Sequence, residues 1–354
     1  MSLWQALAMC AVACLPACGL CAGVVRPWRG LAPPEVGQRW ILPAQGKRAL
    51  PIWGHARGVC VGLWPMPGPR GLIRVYTPYL GQRLGRPINY IAIEPIARSQ
   101  RGRSFSELEW SELDGARGKR LWSADSPEDV APRPPELPAR GTITSDGDVE
   151  WLTVYVFVEP FRSGARVYLR LRFRSDRPHE FALATFACED SAPLDFCIVT
   201  ATMGNWARLR VLHLREYTKT PAELWPNFTG TGFTPHARFP LEDMVRTARG
   251  HALFLAAPDE ENPSAARYAP GTPWPWKYQG QVGTQYWRCE RPSAQLVGQV
   301  NARYTYYNTS CPIPGGLSFE NFELVEPFRP GNEYWFGVTP LSPEELRAKE
   351  EAPA

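Results

Sequence analysis

His236 lies in a glycine-rich loop, Gly230-Thr231-Gly232-Phe233-Thr234-Pro235-His236, and that position suits proton transfer better than a strand interior does. It is one of five histidines in the chain. A histidine, a tyrosine and an arginine together are the equipment for eliminating across a uronic acid, as base, acid and neutraliser of the carboxylate. Tyr304 or Tyr306, on a tyrosine-rich run near the C-terminus, and Arg170 would complete that set, with His236, Tyr304 and Tyr306 in the catalytic roles. A hydrolase built on paired carboxylates is the competing chemistry, drawing on Glu94, Glu107, Glu109, Glu112, Glu320 and Glu323. Of these, Glu107 and Glu109 share one face of an expected strand.

Ligand binding has its own candidates. Residues 151–174 read as two alternating strands joined by a Pro/Gly corner. On the second strand Tyr168, Arg170, Arg172 and Arg174 point one way, about 7 Å apart, while Val167, Leu169, Leu171 and Phe173 point the other. Trp206, Arg208 and Arg210 repeat the pattern. Such a ridge would grip carboxylates or sulfates on a polysaccharide through bidentate contacts, or it would be a solvated face whose charges pair with acids on neighbouring strands. Aromatic residues cluster at Trp274, Trp276, Tyr278, Tyr286 and Trp287. Trp276 and Trp287 are the expected platforms for sugar rings, unless the sandwich core consumes them.

Two short stretches resemble strands of jelly-roll alginate lyases: Arg103-Ser104-Phe105-Ser106-Glu107-Leu108-Glu109, and Tyr304-Thr305-Tyr306-Tyr307-Asn308. The Gln-x-His strand of that family has no counterpart, because Gln299-Val300-Asn301 carries no histidine. The likeness covers about 15 residues, and membership does not follow from it.

The elements that must position these residues are strands. Composition points the same way: 37 Pro and 30 Gly suit many strands joined by turns, and 14 Trp, 13 Tyr and 15 Phe supply a core. The fold expected is all-β, an antiparallel β-sandwich of jelly-roll or concanavalin-like type, with one short helix near 241–249. The corner Val158-Glu159-Pro160-Phe161-Arg162-Ser163-Gly164 returns as Val325-Glu326-Pro327-Phe328-Arg329-Pro330-Gly331, with a looser copy at Ile93-Glu94-Pro95-Ile96. Proline removes a ladder donor and glycine permits the bend, so this is reused turn chemistry rather than a duplicated domain. Residues 24–57 are expected to be extended, 58–341 to form the sandwich with a Pro-rich loop or linker at 123–141, and 342–354 to be a polar tail that starts a short helix.

Residues 1–23 read as an export signal, with Leu15-Pro16-Ala17-Cys18 similar to a lipoprotein box in which Cys18 would be lipidated. Export permits disulfides, and Cys188 with Cys197, and Cys289 with Cys311, are the expected pairs. A net charge of +4, carried by 34 Arg and five Lys against 35 acids, gives no reason to expect nucleic acid as a partner. No phosphate loop, dinucleotide fingerprint, nucleophile elbow or zinc spacing occurs, so no cofactor and no metal are expected. The expectation is an exported protein that binds or processes carbohydrate, lyase or hydrolase if an enzyme. Its partners are then a glycan or another envelope component, with membrane contact only through a lipid anchor. The alternative is a non-catalytic structural or interaction module of the bacterial cell envelope.

Overall fold

The computed structural model describes residues 37–44, 49–81, 87–98, 103–202, 209–259, 281, 283–304 and 317–351. Ten strands come first: β1 (Trp40–Ile41), β2 (Ile52–His55), β3 (Cys60–Gly62), β4 (Leu72–Tyr76), β5 (Asn89–Ala97), β6 (Leu121–Ala124), β7 (Thr142–Asp146), β8 (Val149–Val158), β9 (Val167–Arg174) and β10 (Glu180–Ala187). Ten more follow: β11 (Leu194–Thr202), β12 (Val211–His213), β13 (Thr218–Lys219), β14 (Ala237–Pro240), β15 (Val245–Arg246), β16 (Ala252–Ala257), β17 (Thr284–Cys289), β18 (Val297–Tyr304), β19 (Leu317–Val325) and β20 (Glu333–Thr339). They build two antiparallel sheets. One has nine strands in the order β1-β2-β3-β4-β5-β11-β19-β18-β14. The other has eleven, β13-β12-β16-β17-β20-β10-β9-β8-β6, with β15 on β16 and β7 on β8. Strands from before and after the Pro-rich segment pair within one sheet, β5 against β11.

Period-two alternation decides which face each residue joins. Ile73, Ile91, Ile93, Val199, Phe322 and Val300 from the nine-stranded sheet meet Leu169, Leu171, Phe181, Phe254, Trp287 and Phe336 from the other in a single core. Phe254 stacks on Phe322 at 4.9 Å, and Trp287 Nε1 donates to the Phe322 carbonyl at 2.8 Å, tying the two layers together. The N-terminal segment does more than cover a surface. Its strands β1 and β2 form one edge, and Trp53 is buried in the core, with its indole N–H donated to Ala139 O at 3.0 Å.

Both copies of the Glu-Pro corner close as expected: Gly164 and Gly331 take φ of 81° and 75°, where a side chain would be strained. Their glutamates are buried collectors of loose donors. Glu159 accepts the N–H groups of Leu113 and Arg120, and Glu326 accepts from Tyr334 Oη and Asn332 Nδ2.

Two expected elements differ. Residues 241–249 hold one 3-10 turn, Leu241–Asp243, followed by β15, because Val245 and Leu253 are wanted in a strand pair against the outer helix. That helix is the C-terminal one, Pro343–Glu351, started by Ser342, whose hydroxyl accepts from the Glu345 N–H while Glu345 Oε2 accepts from the Ser342 N–H. The strand expected at 104–110 is a turn. Ser106 Oγ accepts the Ile93 N–H at 3.0 Å and donates to Gly71 O, while the Ser106 N–H donates to Ile93 O at 3.1 Å, so the segment docks on β5 through one residue instead of a ladder.

Candidate functional site

The outer face of the nine-stranded sheet carries a line of polar side chains over an otherwise apolar surface. Register puts Arg238 opposite Gln299 and Gln299 opposite Glu323, and the Ala201–Phe322 pairing brings Thr200 alongside Glu323. Glu94 reaches the same point from β5, and the docked turn lays Arg103 over it. Glu94 and Glu323 are 1% and 0% exposed.

The contacts specify a proton. Thr200 Oγ1 lies 2.7 Å from Glu94 Oε1 and is also in hydrogen-bond contact with Glu323 Oε2. One hydroxyl thus bridges two carboxyl groups, and two carboxyls this close favour holding one proton between them. Glu323 collects donors from Gln299 Nε2 and from Arg103, whose Nη2 is 3.3 Å away, and Arg103 also pairs with Glu94 Oε2. Glu94 carries the proton. Its own burial, and then the Glu323 charge, push its pKa up to about 8.

His236 approaches from the exposed loop before β14, with Nε2 at 3.8 Å from Glu323 Oε1. A β-bulge sets its tautomer. Val300 pairs with Phe322 and Ala302 with Phe319, so two residues of β19, Glu320 and Asn321, oppose Asn301 alone. The Asn321 N–H released by the bulge is accepted by Asn301 Oδ1 at 3.0 Å. That fixes the amide, whose Nδ2 then donates to His236 Nε2 at 3.3 Å, leaving the imidazole proton on Nδ1. Burial holds the His236 pKa below the usual histidine value, against the pull of Glu323. Beside these groups opens a cleft of about 520 Å³, walled by Ile96, Phe196, Ile198 and Val325 and floored by Arg103, Arg238 and Gln299. It presents two guanidinium groups and an amide to a ligand, with the buried Glu94–Glu323 pair and the His236 imidazole next to them rather than in its lining.

The other expected site residues lie elsewhere. Arg170, Arg172 and Arg174 do form a ridge, on the outer face of the eleven-stranded sheet, and it is paired: Arg172 and Arg170 to Glu333 at 2.7 and 3.4 Å, Arg174 to Asp176 at 2.8 Å. Arg172 and Arg174 also lie against the Trp151 ring. Arg210 pairs with Asp259 at 2.9 Å, and Arg208 falls outside the described residues. Trp287 is core, and Trp276 falls outside the described residues. Tyr304 turns inward, stacks on Phe228 and donates to Phe228 O at 3.0 Å, so it does not join His236; Tyr306 is outside the described residues. Glu107 and Glu109 sit in the docked turn, where Glu109 pairs with Lys119.

Cys188 and Cys197 are free. Cys197 faces the core from β11, whereas Cys188 packs with Trp122 and Phe157 on the far side of the other sheet, so the pair cannot close. Cys289 is free and buried, and Cys311 and Cys18 lie outside the described residues. Among the described residues no cluster of three His, Cys, Asp or Glu side chains is arranged to hold a metal ion, and no helix is long and apolar enough to cross a membrane. Thr200, Gln299, Asn301 and Arg238 carry no motif of their own, their signal being a polar residue at an outward strand position, and Arg103 reaches them from the docked turn.

Fold and site together define a β-sandwich with a polar-floored cleft on one outer face, next to a buried pair of carboxyls. No protein-family model, curated protein or solved structure matches the chain.

The shared proton has a measurable consequence. The folded pKa of Glu94 stands above its unfolded value, so between about pH 4.5 and 8 folding takes up a proton. That contribution to stability is present at low pH and is lost as pH rises through the window. Glutamine reproduces the protonated carboxyl, its amide N–H donating to Thr200 and its carbonyl accepting from Arg103. The melting temperature of Glu94→Gln minus that of the wild type should therefore widen from pH 5.5 to pH 8. A gap that does not change with pH in thermal melts would show that Glu94 is ionised throughout.

Proposed function

We propose that the protein is an exported β-sandwich, of jelly-roll or concanavalin-like type, that binds or processes an acidic polysaccharide in the cleft of the nine-stranded sheet. The observation that carries this is the polar set Arg103, Gln299 and Arg238 flooring an open, apolar-walled cleft, anchored by the buried Glu94 and Glu323. Such a floor offers hydrogen bonds to sugar hydroxyls, and the apolar walls offer surface to the C–H faces of the rings. Counting Glu94 and His236 as neutral, Arg103, Arg238 and Glu323 leave one net positive charge, which suits a carboxylate on the ligand. Arg238 is exposed and, among the described residues, bonded only to Gln299 Oε1, at 2.9 Å, so it is the group best placed to meet that carboxylate. In the processing reading, His236 is the base, its Nε2 giving up the Asn301 amide bond to take the substrate proton. Export rests on residues 1–23.

Calorimetric titration with oligouronates against neutral oligosaccharides of equal length tests the reading. Acidic chains should bind more tightly, and Arg238→Ala should weaken them by about 10- to 100-fold, the range for a hydrogen bond to a charged group. Arg172→Ala, on the opposite sheet, should leave affinity unchanged. Equal affinity for acidic and neutral chains would sink the assignment, and no binding of either would favour the non-catalytic envelope module. Absorbance of an unsaturated product would then separate cleavage from binding.

A further inference from the structure

We infer that the same face carries a second sugar subsite beyond His236, with Phe233 as its platform and Glu320 as its hydrogen-bonding carboxyl. This rests on the cleft being a glycan site and extends it into one that reads chain length. The loop that supplies His236 is clamped to β18 at Thr234: its N–H donates to Ala302 O, and its Oγ1 accepts the Ala302 N–H, both at 2.8 Å. Thr234 is buried, yet Phe233 next to it is 51% exposed. The ring is not loose, because the Arg303 guanidinium lies 4.9 Å from its centre. A held, exposed aromatic ring is the surface on which the C–H face of a sugar packs.

The second observation is independent. The bulge that adds a residue to β19 puts Glu320 on the outward face together with Glu323, on the opposite side of the strand from Phe319 and Phe322. Glu320 is 5% exposed, and its Oε1 has no hydrogen-bond partner among the described residues. A buried carboxyl with an empty acceptor lacks a donor, and sugar hydroxyls are donors. Burial pushes its pKa up to about 7, although Arg303, whose guanidinium lies against the Phe233 ring, pulls it down. The loop thus presents His236 and Phe233 within four residues, and the bulge presents Glu323 and Glu320 within the same span.

Chain length is the readout. Titrated with di-, tetra- and hexasaccharides of a polyuronate, the wild type should gain about tenfold in affinity from dimer to tetramer. Phe233→Ala, a change at an exposed ring, should keep dimer affinity and abolish the gain. Glu320→Gln, which keeps shape and hydrogen-bonding capacity but removes the carboxylate, should reduce the gain by at least threefold. A full gain in Phe233→Ala overturns the subsite while leaving the cleft assignment intact. Failure of even the dimer to bind overturns both.

Discussion

Glu323→Ala is expected to lower stability by about 3–5 kcal/mol, the cost of removing one partner from a buried ion pair. The side chain is fully buried, and it is the common acceptor for Gln299, Thr200 and Arg103. Alanine leaves Arg103 facing a neutral Glu94, with the Gln299 amide and the Thr200 hydroxyl short of an acceptor. The cluster can respond in one way: with the Glu323 charge gone, Glu94 gives up its proton and pairs with Arg103. The cost should therefore be larger at pH 5.5 than at pH 8. Removing both carboxylates, in Glu94→Gln/Glu323→Ala, closes that route and should exceed either single change at every pH. Urea melts of the three variants at the two pH values would show this. A loss below about 1 kcal/mol for Glu323→Ala would mean that the cluster behaves as a solvated surface pair.

The part of this cluster that sequence reveals is local, and the part it hides is register. Alternation on β9 is plain in the chain, and the structure keeps Val167, Leu169, Leu171 and Phe173 inside with the arginines outside. What neutralises those arginines is not local. Glu333 arrives on β20, two strands away, and lies within reach because the intervening strand, β10, presents the small residues Ala182 and Ala184 beside Arg172 and Arg170. The same holds across the sandwich. Glu94, Thr200 and Glu323 come together only because β11 crosses from the other sheet to lie between β5 and β19. The Glu-Pro corner was legible as a turn at Glu159 and Glu326, whose carboxylates gather loop donors. The looser copy at Ile93-Glu94-Pro95-Ile96 is no corner: it runs straight through β5, paired to β11, and Glu94 there meets a second carboxylate. His236 stood out because glycines surround it, but Asn301, which orients it, depends on a bulge that alternation does not foretell.

Glu180→Ala is expected to be as costly as the loss of Glu323, about 3–5 kcal/mol, though it lies on the opposite face. Arg288 is fully buried under the C-terminal helix, pairs with Glu180 at 2.5 Å and lies against the Trp335 ring. Glu180 also accepts from Tyr286 Oη at 2.8 Å and from Arg177 at 2.9 Å. That crowding is built in: a Cβ at residue 337 would stand 2.1 Å from the Tyr286 ring, so Gly337 gives the ring room to reach the carboxylate. Burial opposes ionisation of Glu180, but Arg288 and Arg177 outweigh it and hold the pKa below the usual carboxylate value. Its contribution is thus present at neutral pH and fades as pH falls through the folded pKa, opposite in sign to that of Glu94. Alanine strands the guanidinium with only Glu290, which is partly exposed, and leaves the tyrosine hydroxyl without its acceptor. Replacing both charges with apolar residues of similar volume, Glu180→Leu/Arg288→Met, should recover most of the loss, because the penalty comes from an unpaired buried charge rather than from a missing bond. Urea midpoints for the single and double variants decide it. A double variant no more stable than Glu180→Ala would mean that the Glu180 contacts with Tyr286 and Arg177, not the charge on Arg288, hold the helix to the sheet.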